Sequence, residues 1–170
     1  IGNGAFLECS SLSNINIPSS VVNMNGNPFF YWNGDLHNES KAFIYEHQVL
    51  FNKDKTTLIA YRSKEKNYII PNSVTNIGDF AFGGYRSLTN INIPNSVTSI
   101  GNDAFGRCYS LTSINIPDGV TNIGHAAFYK CESLTSINIP DGVTNIGDYA
   151  FLFCKNIQTK IKFDIIQRFG

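Results

Sequence analysis

Prolines stand at positions 71, 94, 117 and 140, each 23 residues after the last and each preceded by an isoleucine (Ile70, Ile93, Ile116, Ile139). The other apolar positions keep the same step. Val74, Val97, Val120 and Val143 form one column, and Ile77, Ile100, Ile123 and Ile146 a second. Phe82, Phe105, Phe128 and Phe151, each preceded by alanine, form a third. The phrase SLTSINIPDGVTNIG even occurs twice unchanged, at 110–124 and 133–147. A fixed period of roughly 20–50 residues marks a solenoid, propeller or array, because each repeat buries its apolar edge only against the next.

Within one unit, L-T-x-I-N-I-P alternates apolar with polar after its leading Leu, the pattern of a short half-buried strand. Ile114 and Ile116 are expected to face inward, with Ser113 and Asn115 outward. Pro117-Asp118-Gly119 is turn chemistry, and Val120 to Ile123 reads as a second short strand with Thr121 and Asn122 outward. Gly124 marks either a positive φ or a close backbone approach. Asp148 and its equivalents Asp79 and Asn102 are expected to cap a single helical turn that buries the Ala-Phe pair.

The frame extends into the irregular stretch. Counted from Pro18, Val21, Met24 and Phe29 fall on the Val, Ile and Phe columns, and Trp32 on the column that holds Cys elsewhere. The 53 residues from Pro18 to Pro71 (71 − 18) predict a degenerate coil followed by one expanded by a hairpin, whose arms FIYEHQVLF and TTLIAY flank Asn52-Lys53-Asp54-Lys55. The chain thus reads as one repeat domain over 1–170. It has regular then degenerate coils at 1–40, an expanded coil at 41–70, regular coils at 71–159 and a partial C-terminal cap at 160–170. In the cap, Asp164 is read as a helix N-cap. The fold class is mostly β: a solenoid of six to seven coils with short parallel strands, a helical turn per coil and one β-hairpin insertion.

Composition narrows the function classes. Thirteen cations balance thirteen anions, and only 15% of residues are charged. That speaks against a nucleic-acid footprint or a polybasic anchor. No apolar run reaches the roughly 18–20 residues of a membrane helix, so no membrane insertion is expected. The chain opens on Ile1 inside a repeat, which reads as a piece of something longer.

IPNSVTSIGNDAFGRCYSLTSINIP resembles the 23-residue unit of the BspA-like leucine-rich repeat family, over roughly 1–29 and 71–159. VLFNKDKTTLIAY is similar to an insertion found in such proteins. The resemblance implies a curved leucine-rich-repeat solenoid, on a cell surface or secreted. It also implies protein ligands, including host matrix proteins and other microbial surface proteins, and no catalytic motif. Tyr85 and Trp32 depart from the pattern by standing in the Cys slot.

Cys9, Cys108, Cys131 and Cys154 share one repeat position. Since Tyr85 and Trp32 fill the same slot, it reads as apolar core, with disulfide or metal ladders as the alternatives. His37, His47 and His125 share no ligand spacing, and Asp118 and Asp141 recur as Asn72, Asn95 and Ser19, so these read as surface and turn residues. No nucleophile elbow or phosphate loop appears, so no catalytic residue, metal or cofactor is assigned. Asn38-Glu39-Ser40 fits a glycosylation sequon.

Two surfaces are candidates for protein partners. One is the outward ladder Asn90, Asn92, Ser113, Asn115, Ser136 and Asn138, whose stacked polar groups also serve to stabilise the sheet. The other is Phe30 and Tyr31 in NPFFYWNG, either exposed for contact or packed into the core. The functional expectation is a non-enzymatic adhesion module, with a structural spacer as the alternative. An enzyme with its site in 33–70 is a third reading. An exposed last coil offers end-to-end self-association.

Overall fold

The computed structural model describes residues 1–169. Its strands are short because each coil spends only two to five residues in any one sheet before turning. In chain order they are β1 (Asn14–Ile17), β2 (Asp35–Asn38), β3 (Phe43–Glu46), β4 (Val49–Asn52), β5 (Thr57–Tyr61), β6 (Asn67–Ile69), β7 (Asn76–Ile77), β8 (Asn90–Asn92), β9 (Ser99–Ile100), β10 (Ser113–Asn115), β11 (Asn122–Ile123), β12 (Ser136–Asn138) and β13 (Asn145–Ile146). A helix, α1 (Thr159–Phe169), follows. Gly170, the last residue of the expected cap, lies outside the described residues.

The I-N strands form one face. There β1 pairs parallel with β2, β6 with β8 and β10 with β12, and the Thr112 N–H donates to the Thr89 carbonyl (3.3 Å) between the last two pairs. The V-T-x-I segments form a second face, a seven-stranded sheet in the order β13-β11-β9-β7-β5-β4-β3. Identical rungs align: Ile123 lies opposite both Ile100 and Ile146, and Ile114 opposite Ile137.

The insertion carries three strands where a two-armed hairpin was expected. FIYEHQVLF breaks at His47-Gln48, both with positive φ (47° and 60°), into β3 and β4, which pair antiparallel. Two consecutive left-handed residues make the tight turn whose twist suits a two-residue hairpin, here without the usual Asn or Gly. β5 then pairs antiparallel with β4 and parallel with β7, so the meander replaces one coil's strand. It also divides the interior. Leu50, Ile59 and Ala60 pack with Ile15, Ile17, Phe29, Trp32 and Leu36. Val49, Phe51, Leu58 and Tyr61 pack instead with the regular repeats.

The G-x-x-A-F segment forms successive β-turns where a helical turn was expected. The Ala104 N–H donates to Gly101 (3.4 Å) and the Cys108 N–H to Phe105 (3.2 Å), while Asp103 and Arg107 have positive φ (48° and 61°). Alternate N–H groups reach the next coil: Asp103 to His125 (2.8 Å), Phe105 to Ala127 (2.8 Å) and Arg107 to Tyr129 (2.6 Å). A helix would turn those donors back along its own axis, so the inter-coil ladder excludes it. Asp79 likewise accepts from the Asn102 N–H (2.7 Å) and Asn102 from the His125 N–H (2.8 Å). These side chains cap the neighbouring coil, not their own. Buried Asn27 joins the degenerate coil to the regular ones by donating to the Phe80 carbonyl (3.0 Å).

At the C-terminal end α1 begins at Thr159, so Asp164 lies mid-helix, 3.8 Å from Arg168, and is not the N-cap. Arg168 donates to the Ile139 and Pro140 carbonyls (2.9 and 2.8 Å), while Ile161 and Phe169 pack on the last coil. The helix therefore covers part of the end where stacking of a second molecule was expected.

Candidate functional site

The sheet-face ladder is where the alternation puts it. Asn90, Asn92, Ser113, Asn115, Ser136 and Asn138 are all exposed, while Ile91, Ile114 and Ile137 between them are buried. Together with Asn67 and Ile69 they line a shallow depression of about 750 Å³. Part of this polarity is spent inside the solenoid. The Asn138 amide donates to the Ile116 carbonyl (3.0 Å) and its oxygen accepts the Ile116 N–H (2.8 Å). Threonines are more committed still. Thr112 donates to Thr89 (3.4 Å), Thr135 to Thr112 (3.1 Å), Thr121 to Thr98 (3.5 Å) and Thr144 to Thr121 (3.2 Å), each to a carbonyl one coil back. Such hydroxyls are ladder rungs, which leaves Asn90, Asn92, Ser113, Asn115 and Ser136 as the less constrained members.

Phe30 is buried, at 9% exposure, edge-on to Phe80 (5.2 Å). Added bulk at Gly83 would strike its ring (2.7 Å to Cε2). Packing thus withdraws Phe30 from the surface. Tyr31 is half-buried beside it (4.2 Å between rings) and lies over Gly84, and that burial raises its pKa above the ordinary tyrosine value. Trp32 is core as well, its indole N–H donating to the Leu12 carbonyl (2.7 Å).

Cys108, Cys131 and Cys154 are buried free thiols that donate to the carbonyls of Phe82 (3.1 Å), Phe105 (3.1 Å) and Phe128 (2.9 Å). Burial pushes the Cys108 thiol up to about 12, so it stays neutral and unreactive near pH 8. A thiol titration without reductant is expected to find half-buried Cys9 reactive in the native chain and all four thiols only after unfolding. Fewer than four in denaturant would show bonded cysteines.

Among the described residues, no group of three or more His, Cys, Asp or Glu side chains is placed to hold a metal. His37 and His47 are exposed on β2 and the hairpin turn, and His125 meets Tyr149 edge-on (5.4 Å). The sequon is folded into a turn: the Asn38 amide donates to the Ser40 and Phe43 carbonyls (3.1 and 2.9 Å), and Ser40 is buried.

Two features escaped the sequence reading. The turn edge carries cation–aromatic contacts between coils, with Arg86 over Tyr109 (5.3 Å), Arg107 over Tyr129 (4.9 Å) and Lys130 over Phe153 (5.6 Å). Its signal was present, because these are the positions where successive repeats differ. The second is a cleft of about 550 Å³ beside the meander, between Asn33–His37 and Arg62–Glu65. Nothing in the period announces it.

Comparison with known proteins agrees with this architecture. A crystal structure of a leucine-rich repeat protein from Eubacterium ventriosum superposes with a TM-score of 0.79 at 29% identity, over 88% of this chain and 42% of that one. A leucine rich cell surface protein from Faecalibacterium prausnitzii gives 0.70 at 28% identity, over 93% and 49%. The pneumococcal vaccine antigen PcpA gives 0.61 at 24% identity, over 88% and 46%, a likeness of fold. The chain spans less than half the length of each of these structures. No curated protein matches it. The BspA type leucine rich repeat region matches residues 1–44 and 59–169 in six copies, beyond the 1–29 and 71–159 legible by eye, and the chain belongs to that family.

Proposed function

We propose that this chain is a non-enzymatic protein-binding module of a cell-surface or secreted protein, which adheres to extracellular-matrix or microbial surface proteins through its I-N sheet face. The observation that carries this reading is the exposed, uncharged ladder Asn90, Asn92, Ser113, Asn115 and Ser136 along the depression of about 750 Å³. Leucine-rich repeats generally serve as protein-interaction modules, and solenoids engage partners over extended surfaces. The F. prausnitzii relative, described as a cell surface protein, supports the location. The triple variant Asn92→Lys, Ser113→Lys and Asn115→Lys, which spares the structural amide of Asn138, is expected to lower binding to immobilised matrix proteins at least tenfold. Unchanged binding would remove the sheet face from the account.

A spacer that holds another domain away from a surface is the second reading. It is favoured by the identity of residues 110–124 with 133–147, since uniform coils offer a partner little to tell them apart. Matrix binding retained by the isolated 170 residues would count against it.

A further inference from the structure

The sheet face breaks at two places, narrowly between β8 and β10, which the Thr112–Thr89 bond still ties together, and widely between β2 and β6. From the start of β2 to the start of β6 the chain takes 32 residues (67 − 35), against 23 (90 − 67) from β6 to β8, and β2 and β6 do not pair. Hydrogen bonds show which groups of β6 are left over. The Asn90 N–H donates to the Lys66 carbonyl (3.2 Å) and the Ile70 N–H to the Asn92 carbonyl (3.1 Å). Alternate residues of a strand face opposite neighbours, so Lys66, Tyr68 and Ile70 address β8. The main-chain N–H and C=O of Asn67 and Ile69 therefore face the wide break, with no main-chain partner there among the described residues. The Ile69 side chain is 73% exposed, at the position held by Asn92, Asn115 and Asn138 in the following coils.

An unpaired edge with an exposed isoleucine is the arrangement that sheet proteins normally blunt with charge, proline or a bulge. The run into this edge, Arg62-Ser63-Lys64-Glu65-Lys66, holds three cations and one anion. Arg62 and Lys64 line the cleft of about 550 Å³ opposite β2, with Asp35, His37 and Glu65 around it. Arg62 donates to the Trp32 and Gly34 carbonyls and stacks on the Trp32 ring (4.5 Å), yet among the described residues no carboxylate makes an ion pair with it.

We propose that the free edge of β6 is a strand-addition site for an extended acidic segment of a protein partner. The segment's main chain pairs with Asn67 and Ile69, an apolar side chain covers Ile69, and a carboxylate reaches the cations of Arg62 and Lys64. Main-chain pairing supplies the affinity, and the flanking side chains choose the sequence. This inference rests on the reading of the chain as a protein-binding module, but it uses none of the sheet-face residues altered in the test of that reading.

The probe is an acetylated, amidated hexapeptide of alternating Glu and Val. Trp32, the one tryptophan of the chain, lies against Arg62 and reports on the cleft. Saturable change in its fluorescence is expected, with slowed hydrogen exchange at the Asn67 and Ile69 amides. Ile69→Pro deletes the edge-facing donor together with the exposed isoleucine side chain and leaves the bonds to β8 in place, since proline is tolerated where an edge strand's N–H meets solvent. It is expected to weaken binding at least tenfold. Ile69→Asn, which copies the following coils, keeps the fold and is expected to weaken binding severalfold. The same peptide with Lys for Glu is expected to bind at least tenfold more weakly.

Wild-type affinity in both Ile69 variants, or equal affinity for the Lys peptide, would overturn the proposal. So would light scattering that shows the chain dimerising through this edge and reverting to monomer in Ile69→Pro, which would give the edge to a second copy. Peptide binding that persists in the sheet-face variant while matrix binding is lost or absent would separate this site from the function proposed above.

Discussion

Phe105→Ala is expected to lower stability by about 3–5 kcal/mol, the range for truncating a buried aromatic. The ring is fully buried and stacked on both sides, 5.0 Å from Phe82 at 10° and 5.3 Å from Phe128 at 3°. Its loss strips one face from each neighbour and leaves a void that flanking coils cannot close, because their spacing is set by main-chain hydrogen bonds. The comparison is Phe151→Ala, whose ring is half-buried and stacks on Phe128 alone (5.3 Å). That change is expected to cost about half as much. Urea unfolding followed by circular dichroism measures both, and equal midpoints for the two variants would refute the two-sided ladder.

Gly124→Ala is expected to cost about 3 kcal/mol, the upper end of the overpacking range. Here the obstacle is backbone: an added Cβ would lie 2.6 Å from the Asn102 nitrogen and 2.6 Å from the Gly101 carbonyl carbon. Relief requires the coils to part, which strains the bonds from the Gly124 N–H to Ile100 and from the His125 N–H to Asn102, both 2.8 Å. Gly119→Ala is the control, since its Cβ meets nothing nearer than the Asn95 carbonyl at 3.3 Å. It is expected to cost about 0.5–1 kcal/mol, the low end of what single substitutions cost. Similar thermal midpoints for the two variants would show that inter-coil spacing does not demand glycine at 124. Of the two roles open to this glycine, close approach is the one the structure uses, because its φ is not positive.

The apolar columns were legible because burial and stacking act on the same residues in every coil, so Val120, Ile123 and Phe128 announce themselves through Val97, Ile100 and Phe105. The outward Asn and Ser positions followed from alternation alone. The local propensities of the Ala-Phe segment allow a helical turn. What excludes it are acceptors on His125, Ala127 and Tyr129, some 22 residues away, which no local window contains. The His47-Gln48 turn leaves no mark in the sequence, because it lacks the Asn or Gly that normally signals such a turn. The exposed edge of β6 depends on a partner strand that is not there, and the absence of a pairing has no letters of its own.

The meander between the two interiors bears on how the chain finds its register. Residues 110–124 and 133–147 are interchangeable, so while the coils assemble, a repeat that docks one period out of place meets the same columns and gains nearly the same contacts. Repetition gives strength without address. β3, β4 and β5 have no second copy, and their antiparallel pairing, with its shift between Leu50 and Phe51, has a single solution. With Val49 and Phe51 on one side and Leu50 on the other, this insertion acts as a datum from which the identical coils are counted. Whole periods added or deleted beyond Pro71 would change the reach of the solenoid and leave that datum untouched.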